Sequence, residues 1–368
     1  MKKDDILSGI ADLASKGAGA VAGIDPTKAV ISFDGNGAKG LGAVSQIMKK
    51  SEATALRNNA FNRPGFVFRG WNTKKDGSGT KYDNRSALTC KANAMTLYAM
   101  WEPEMYHKSI SAQPVLHTIP SQNPKLFVSA QGFCMAKKGK TRYAAVCFIR
   151  NTPAYKAGND KDYNSSVVLY NMETQKMVAH VDKLPLDHAN DMCYDPKKQR
   201  FYIATLGNAK KPGTIYELDW NMKVTNKILP KKAAHIGALA YYNGIYTGLL
   251  PVGHGKYTFV NLDASWNLLS QTKIITGYDA DYVSQGICVD GKYIYNVACD
   301  FNDSDWSKHQ RLHVYDKTTG KRVGMQTINI PHEVEAVDIL DGRLYLNTNR
   351  QTACDIYIAD KGSIKLYV

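Results

Sequence analysis

The sequence predicts a mainly β chain: a small glycine-punctuated β module, then a five-bladed β-propeller, with a short helix at the N-terminus. Three observations carry this. Twenty-two tyrosines against 10 phenylalanines favour strands with one half-wet face. Asp-Gly and Ser-Gly steps within residues 63–82 mark a tight hairpin tip. One supersecondary pattern then returns five times between residues 125 and 368.

Residues 1–28 come first. Ile6, Ile10, Leu13 and Ala14 form a one-sided stripe at helical spacing, with Asp4 and Asp5 at the favourable N-terminal end. Gly17, Gly19 and Gly23 end the helix as a flexible leash. Asp4, Asp5 and Asp12 interrupt the apolar run that a secretion signal needs. The expectation is synthesis in the cytoplasm without a conventional signal peptide, then work outside the cell within a virion or after lysis. No stretch approaches the ~20 apolar residues of a bilayer span, so membrane insertion is not expected. Residues 1–24 are expected to dock the chain onto other subunits of a larger particle.

Lys and Arg number 47 against 33 Asp and Glu, a net charge of +14 that attracts polyanions. These basic residues are scattered, and no recognition helix, ribonucleoprotein motif or zinc-finger spacing accompanies them. Specific nucleic-acid readout is therefore not expected. The seven cysteines are an odd number without a Cys-x-x-Cys pair. Cys147, Cys193, Cys288 and Cys299 sit in apolar runs and read as small buried hydrophobes, reduced throughout.

Residues 29–103 read as alternating β-structure. Phe33 leads into Gly35, Asn36 and Gly37, and Pro64–Gly65 turns into the strand carrying Phe66, Phe68 and Trp71. The Asp76-Gly-Ser-Gly79 run makes the hairpin tip, and Thr96, Leu97, Tyr98, Ala99 and Trp101 lie on the closing strand. With Arg63, Gly70, Asn72, Thr73, Thr80 and Tyr82, this spacing closely resembles the Listeria–Bacteroides repeat, or internalin B-repeat. The resemblance implies a β-grasp-like module that spaces or adheres on bacterial surfaces. Its aromatic residues are then core and its glycines turns, with no chemistry of their own.

Residues 104–124 are expected to link the module to the ring and to help close it. From residue 125 each repeat opens with a four-residue lead-in: Ser129–Gly132, His188–Asp191, His235–Ala238, Val283–Gly286 and Glu333–Ala336. Their spacing of about 47 to 59 residues is that of a four-stranded propeller blade. A flat sheet of so many strands would leave long unpaired edges, and a ring removes them. "SIKLYV" at residues 363–368 reads as the fourth strand of the last blade. The runs "HANDMCYDPKKQRFYIAT", "SQGICVDGKYIY" and "HEVEAVDIL" resemble helveticin-type propellers, bacteriocin-like proteins made without a conventional signal peptide.

Innermost propeller strands line the central channel, and alternate residues face one side. Third positions of the lead-ins place Gln131, Asn190, Gln285 and Glu335 in one ring; first positions place His188, His235 and Glu333 in a neighbouring layer. Such amides, imidazoles and carboxylates suit a sugar or a hard cation such as calcium; a satisfied polar plug is the structural alternative. No cofactor and no catalytic set is expected. Glu333 and Glu335 come from one blade, an unpromising pair for a glycosidase, and Asn190 with Glu335 is thin for a calcium-dependent lactonase. Tyr163 and Trp306, on long polar inserts, are candidates for stacking on sugar rings. The function expected is non-catalytic recognition of a bacterial-surface polysaccharide or receptor, as a phage tail or virion component. A helveticin-like bacteriocin and a propeller glycosidase or lactonase are the alternatives.

Overall fold

The computed structural model describes residues 25–366, apart from 39–43, 65, 104–108, 121–122, 157–163, 187, 206–212, 234, 254–255, 274, 277–281, 301–304, 308 and 351–352. The stripe of residues 1–24 and Tyr163 lie outside the described residues. The chain divides into two compact units, 1–106 and 107–368.

In the first unit, a five-stranded sheet runs in the order Val44–Lys49, Lys28–Asp34, Ala94–Pro103, Phe66–Asn72 and Lys81–Tyr82. Lys28–Asp34 and Ala94–Pro103 pair in parallel; the other neighbours are antiparallel. Trp71 is buried at the centre, with the Phe33 and Phe68 rings at 4.7 and 4.9 Å edge-on. Gly70 adopts φ +116°, and a Cβ there would lie 2.6 Å from the Tyr82 carbonyl oxygen, so no other residue fits. Asn72 is wholly buried and organises the hairpin tip. Its Nδ2 donates to the Gly77 and Gly79 carbonyls, and its Oδ1 accepts from Lys74 and Gly79 N–H. The Gly-Trp-Asn-Thr step is thus a structural clasp.

The second unit contains five antiparallel sheets of blade form. Blade 1 comprises Phe127–Lys138, Thr141–Arg150, Ser165–Asn171 and Lys176–Leu184. Blade 2 comprises Asp191–Asp195, Arg200–Ala204, Ile215–Leu218 and Val224–Ile228. Blade 3 is built on Ala238–Tyr242, Ile245–Gly253, Lys256–Leu262 and Leu268–Gln271, and blade 4 on Tyr282–Val289, Tyr293–Asp300, Gln310–Asp316 and Arg322–Ile328. The innermost strand of each blade adjoins that of the next, and Glu333–Leu340 of blade 5 returns to Phe127–Lys138 of blade 1. The ring is closed.

Its core is five apolar wedges, one per blade interface, because each sheet is apolar on both faces. Phe201, Tyr216 and Leu218 pack blade 2 on Cys147 and Leu169 of blade 1, for example. Phe127 and Phe148 of blade 1 meet Tyr345 and Ile356 of blade 5 across the closing seam. Closure therefore buries as much as any other interface.

Blade 5 corrects the reading of the C-terminus. Its chain supplies Glu333–Leu340, Arg343–Asn349 and Cys354–Asp360, and the fourth strand is Gln113–Thr118, antiparallel to Cys354–Asp360. "SIKLYV" is not that strand. Lys361–Ser363 form a 3-10 turn, and the chain crosses to blade 4, where Lys365 N–H donates to Gln326 Oε1 at 2.8 Å. Ser109–Ile110 adds to the outer edge of blade 4 in parallel, so residues 109–118 form a strap over the blade 4–blade 5 seam.

All seven cysteines are buried free thiols. Burial pushes Cys354 up to about 12, and Cys134, Cys193 and Cys288 well up. The native protein is therefore expected to resist iodoacetamide at pH 8, while denatured, unreduced protein takes up seven labels by mass. Fewer than seven labels would reveal a disulfide.

Candidate functional site

The five lead-ins stack in layers along the ring axis. At the outer mouth lie the first positions: Ser129, half-buried His188, exposed His235, exposed Val283 and half-buried Glu333. Beneath them Gln131, Asn190, Gln285 and Glu335 are each less than a tenth exposed. The fourth positions close the axis. They are Gly132, Asp191, Ala238, Gly286 and Ala336, four small residues and one carboxylate. A Cβ on Gly132 would meet Ala189 O at 2.7 Å, and one on Gly286 would meet Ala336 Cα at 2.7 Å. Only glycine lets the inner strands approach so closely.

Asp191 ties the axis together. Wholly buried, its Oδ2 accepts from Leu239 N–H of blade 3 and Ile287 N–H of blade 4, both at 3.0 Å, and its Oδ1 from Met192 N–H at 2.9 Å. Burial pushes its carboxyl well above the usual carboxylate range, although these three N–H groups pull it down. Asp191 is an axial pin, not a mouth residue.

The floor is a bonded network spanning blades 4, 5 and 1. Gln131 Nε2 donates to Ser129 Oγ at 2.8 Å and Glu335 Oε1 at 3.0 Å. Gln285 Nε2 lies 3.4 Å from Glu333 Oε1, and Asn349 Nδ2 donates to Glu333 Oε2 at 3.0 Å. Burial raises both glutamates. For Glu335 the rise is large, increased by the charge of Glu333. Asn190 stands apart from this network, with Nδ2 donating to the Gly237 carbonyl of blade 3 at 2.6 Å.

Sequence reasoning missed the asparagines that complete the network. Asn347 donates to the Gln131 carbonyl at 2.6 Å and Asn296 to the Gly286 carbonyl at 3.0 Å, each serving a lead-in where the strand register slips. Asn349 joins them at Glu333. The available signal was an asparagine inside an apolar second strand, in "YNVA" and "YLNTN". Trp306 is half-buried on its insert, away from the lead-ins in sequence. Among the described residues, no group of three or more His, Cys, Asp or Glu side chains is placed to hold a metal ion. None of the described helices is long and apolar enough to cross a membrane.

Residues 30–100 match the family model of the Listeria-Bacteroides repeat domain. A protein of Evansella cellulosilytica named as a Gly-rich membrane protein is 32% identical over 84 residues, which is 22% of this chain and 10% of that relative. The chain thus spans about a tenth of the length of the relative it matches. Among solved structures, a GH130-family glycoside hydrolase covers 73% of this chain and 98% of its own at 8% identity and TM-score 0.45. The β-propeller domain of the trilobed protease from Pyrococcus furiosus covers 64% of this chain and 83% of its own, at 15% identity and TM-score 0.31.

Proposed function

We propose that the protein is a non-catalytic recognition protein for an anionic bacterial-surface glycan, with the lead-in mouth of the ring as its specific site. One observation carries the reading: buried polar side chains of blades 4, 5 and 1 hydrogen-bond one another, while the lead-ins of blades 2 and 3 open on the more exposed His188 and His235. His188, His235 and Glu333 then face the ligand while Gln131, Gln285 and Glu335 hold the rim in place. A rigid polar rim of donors and acceptors suits hydroxyl recognition. The carboxyl pair supports binding over hydrolysis. Glu333 and Glu335 lie two residues apart on one strand, with Glu335 buried and held by Gln131, whereas glycosidase carboxyls flank the scissile bond from opposite sides. The net charge of +14 adds attraction to a polyanion, and the repeat module suits a spacer between ring and particle. Assembly into a phage tail or other virion, through residues 1–24, is the setting that fits a surface-binding ring of this kind.

Binding to purified teichoic acid and neutral wall polysaccharide tests this at 0.15 M and 1 M salt. Charge attraction is screened within about 3 Å at 1 M, whereas hydrogen bonds to the rim persist. The expected result is a salt-resistant component that His188→Ala with Glu333→Gln weakens about tenfold. If all binding vanishes at high salt, or the double variant binds as before, the mouth is a structural plug.

A further inference from the structure

The inner strands have a second end. Where they leave the axis opposite the lead-ins, a cavity of about 300 Å³ is lined from four blades. Met135 and Lys137 of blade 1, Tyr194 of blade 2, Tyr241 and Tyr242 of blade 3 and Asp338 of blade 5 are among its walls. Ala136, Cys193, Pro196, Asn243, Ile339 and Leu340 complete the lining.

Asp338 is the chemical centre of this cavity. Its Oδ2 accepts from Met135 N–H at 2.7 Å and its Oδ1 from Ile339 N–H at 2.8 Å, which fixes the carboxyl and leaves each oxygen acceptor capacity. Among the described residues no basic side chain pairs with it. Lys137, the one lysine of the lining, spends its ammonium on Asp341 at 2.8 Å. Cys134, Cys193, Cys288 and Asp191 lie near enough to feel its charge, and none is a cation; Lys137, Tyr194, Tyr241 and Tyr242 line the same cavity. Burial raises Asp338 to about 7. A fixed carboxylate without a counter-ion shares this cavity with three tyrosines, of which Tyr242 has Lys317 Nζ 6.0 Å from its ring centroid.

We infer that this second mouth binds a small organic cation, an alkylammonium group whose charge meets Asp338 and whose methyl or methylene groups lie against Tyr194, Tyr241 and Tyr242. Ring faces attract such cations through their quadrupole, and poorly hydrated alkylammonium ions gain most from leaving water. The volume suits a ligand of this size. A neutral sugar could donate hydroxyls to the carboxylate but would leave its charge uncompensated.

Calorimetric titration of the full chain at pH 8 tests the site with choline, with its uncharged carbon isostere 3,3-dimethylbutan-1-ol, and with galactose. Saturable choline binding is expected, with the isostere at least about tenfold weaker. Asp338→Asn should weaken choline about tenfold or more, and Tyr242→Ala, on a ring already 43% exposed, severalfold without altering the melt. His188→Ala with Glu333→Gln at the other mouth should leave choline affinity unchanged, which separates this site from the glycan reading. Equal binding of the isostere, preference for galactose, no saturation by roughly 50 mM, or an unaltered Tyr242→Ala variant overturns the proposal.

Discussion

Removing residues 107–124 should abolish cooperative unfolding of the ring, while a chain of residues 107–368 melts in one transition. The strap is the fourth strand of blade 5, and five of its residues pair with Cys354–Ile358. Leu116 is buried in the wedge at the closing seam, and Ile110 in the wedge between blades 4 and 5. Burying two such side chains contributes about 3–6 kcal/mol. Thr118 Oγ1 donates to the Cys354 carbonyl at 3.2 Å, and His117 Nδ1 lies 2.5 Å from Asp355 Oδ1, whose Oδ2 meets Arg350. Without the strap, Cys354–Asp360 becomes an open, apolar edge beside an uncovered seam. The loss is comparable to the whole stability of an ordinary domain. Thermal melting by circular dichroism and amide exchange across Cys354–Asp360 check it. A shortened chain with an unchanged melt and a protected edge would show that the strap is an accessory.

Asp191→Ala is expected to cost about 4 kcal/mol, which for a unit of this size lowers the melting temperature by roughly 10 °C. The carboxyl is the buried acceptor for N–H groups on two other blades, Leu239 and Ile287. Truncation strands both donors where no water reaches, at about 1–3 kcal/mol each, and opens a hole at the axis. Asp191→Asn keeps one acceptor oxygen and should fall between alanine and the native protein. Differential scanning calorimetry of the three proteins decides the matter. A loss below about 1 kcal/mol for alanine would mean that the inner strands are held by their wedges alone.

Sequence legibility differed by scale. The five blades were readable because each repeats a local pattern, and local pattern is what propensity and turn chemistry report. The module was readable for a related reason. Asn72 acts on Lys74, Gly77 and Gly79, all within seven residues, so its spacing already encodes the clasp. Gln131, Asn190, Gln285 and Glu335 share deep burial, but the register slips beside three of them and Asn190 precedes its strand, so simple alternation does not account for it.

What the sequence determined by itself, then, is the repeat and the turns. The tertiary structure alone decided which blade edge takes the strap. Gln113–Thr118 and Cys354–Asp360 are more than 230 residues apart, and "SIKLYV" has the same strand character. It alone brought Gln131 onto Glu335, Asp191 onto the N–H groups of two further blades, and Asp338 into one cavity with three tyrosines of blades 2 and 3. Alternation fixes a side chain's direction within its own strand. The distance to a neighbour on another blade depends on how the ring closes, and closure is a property of all five wedges together.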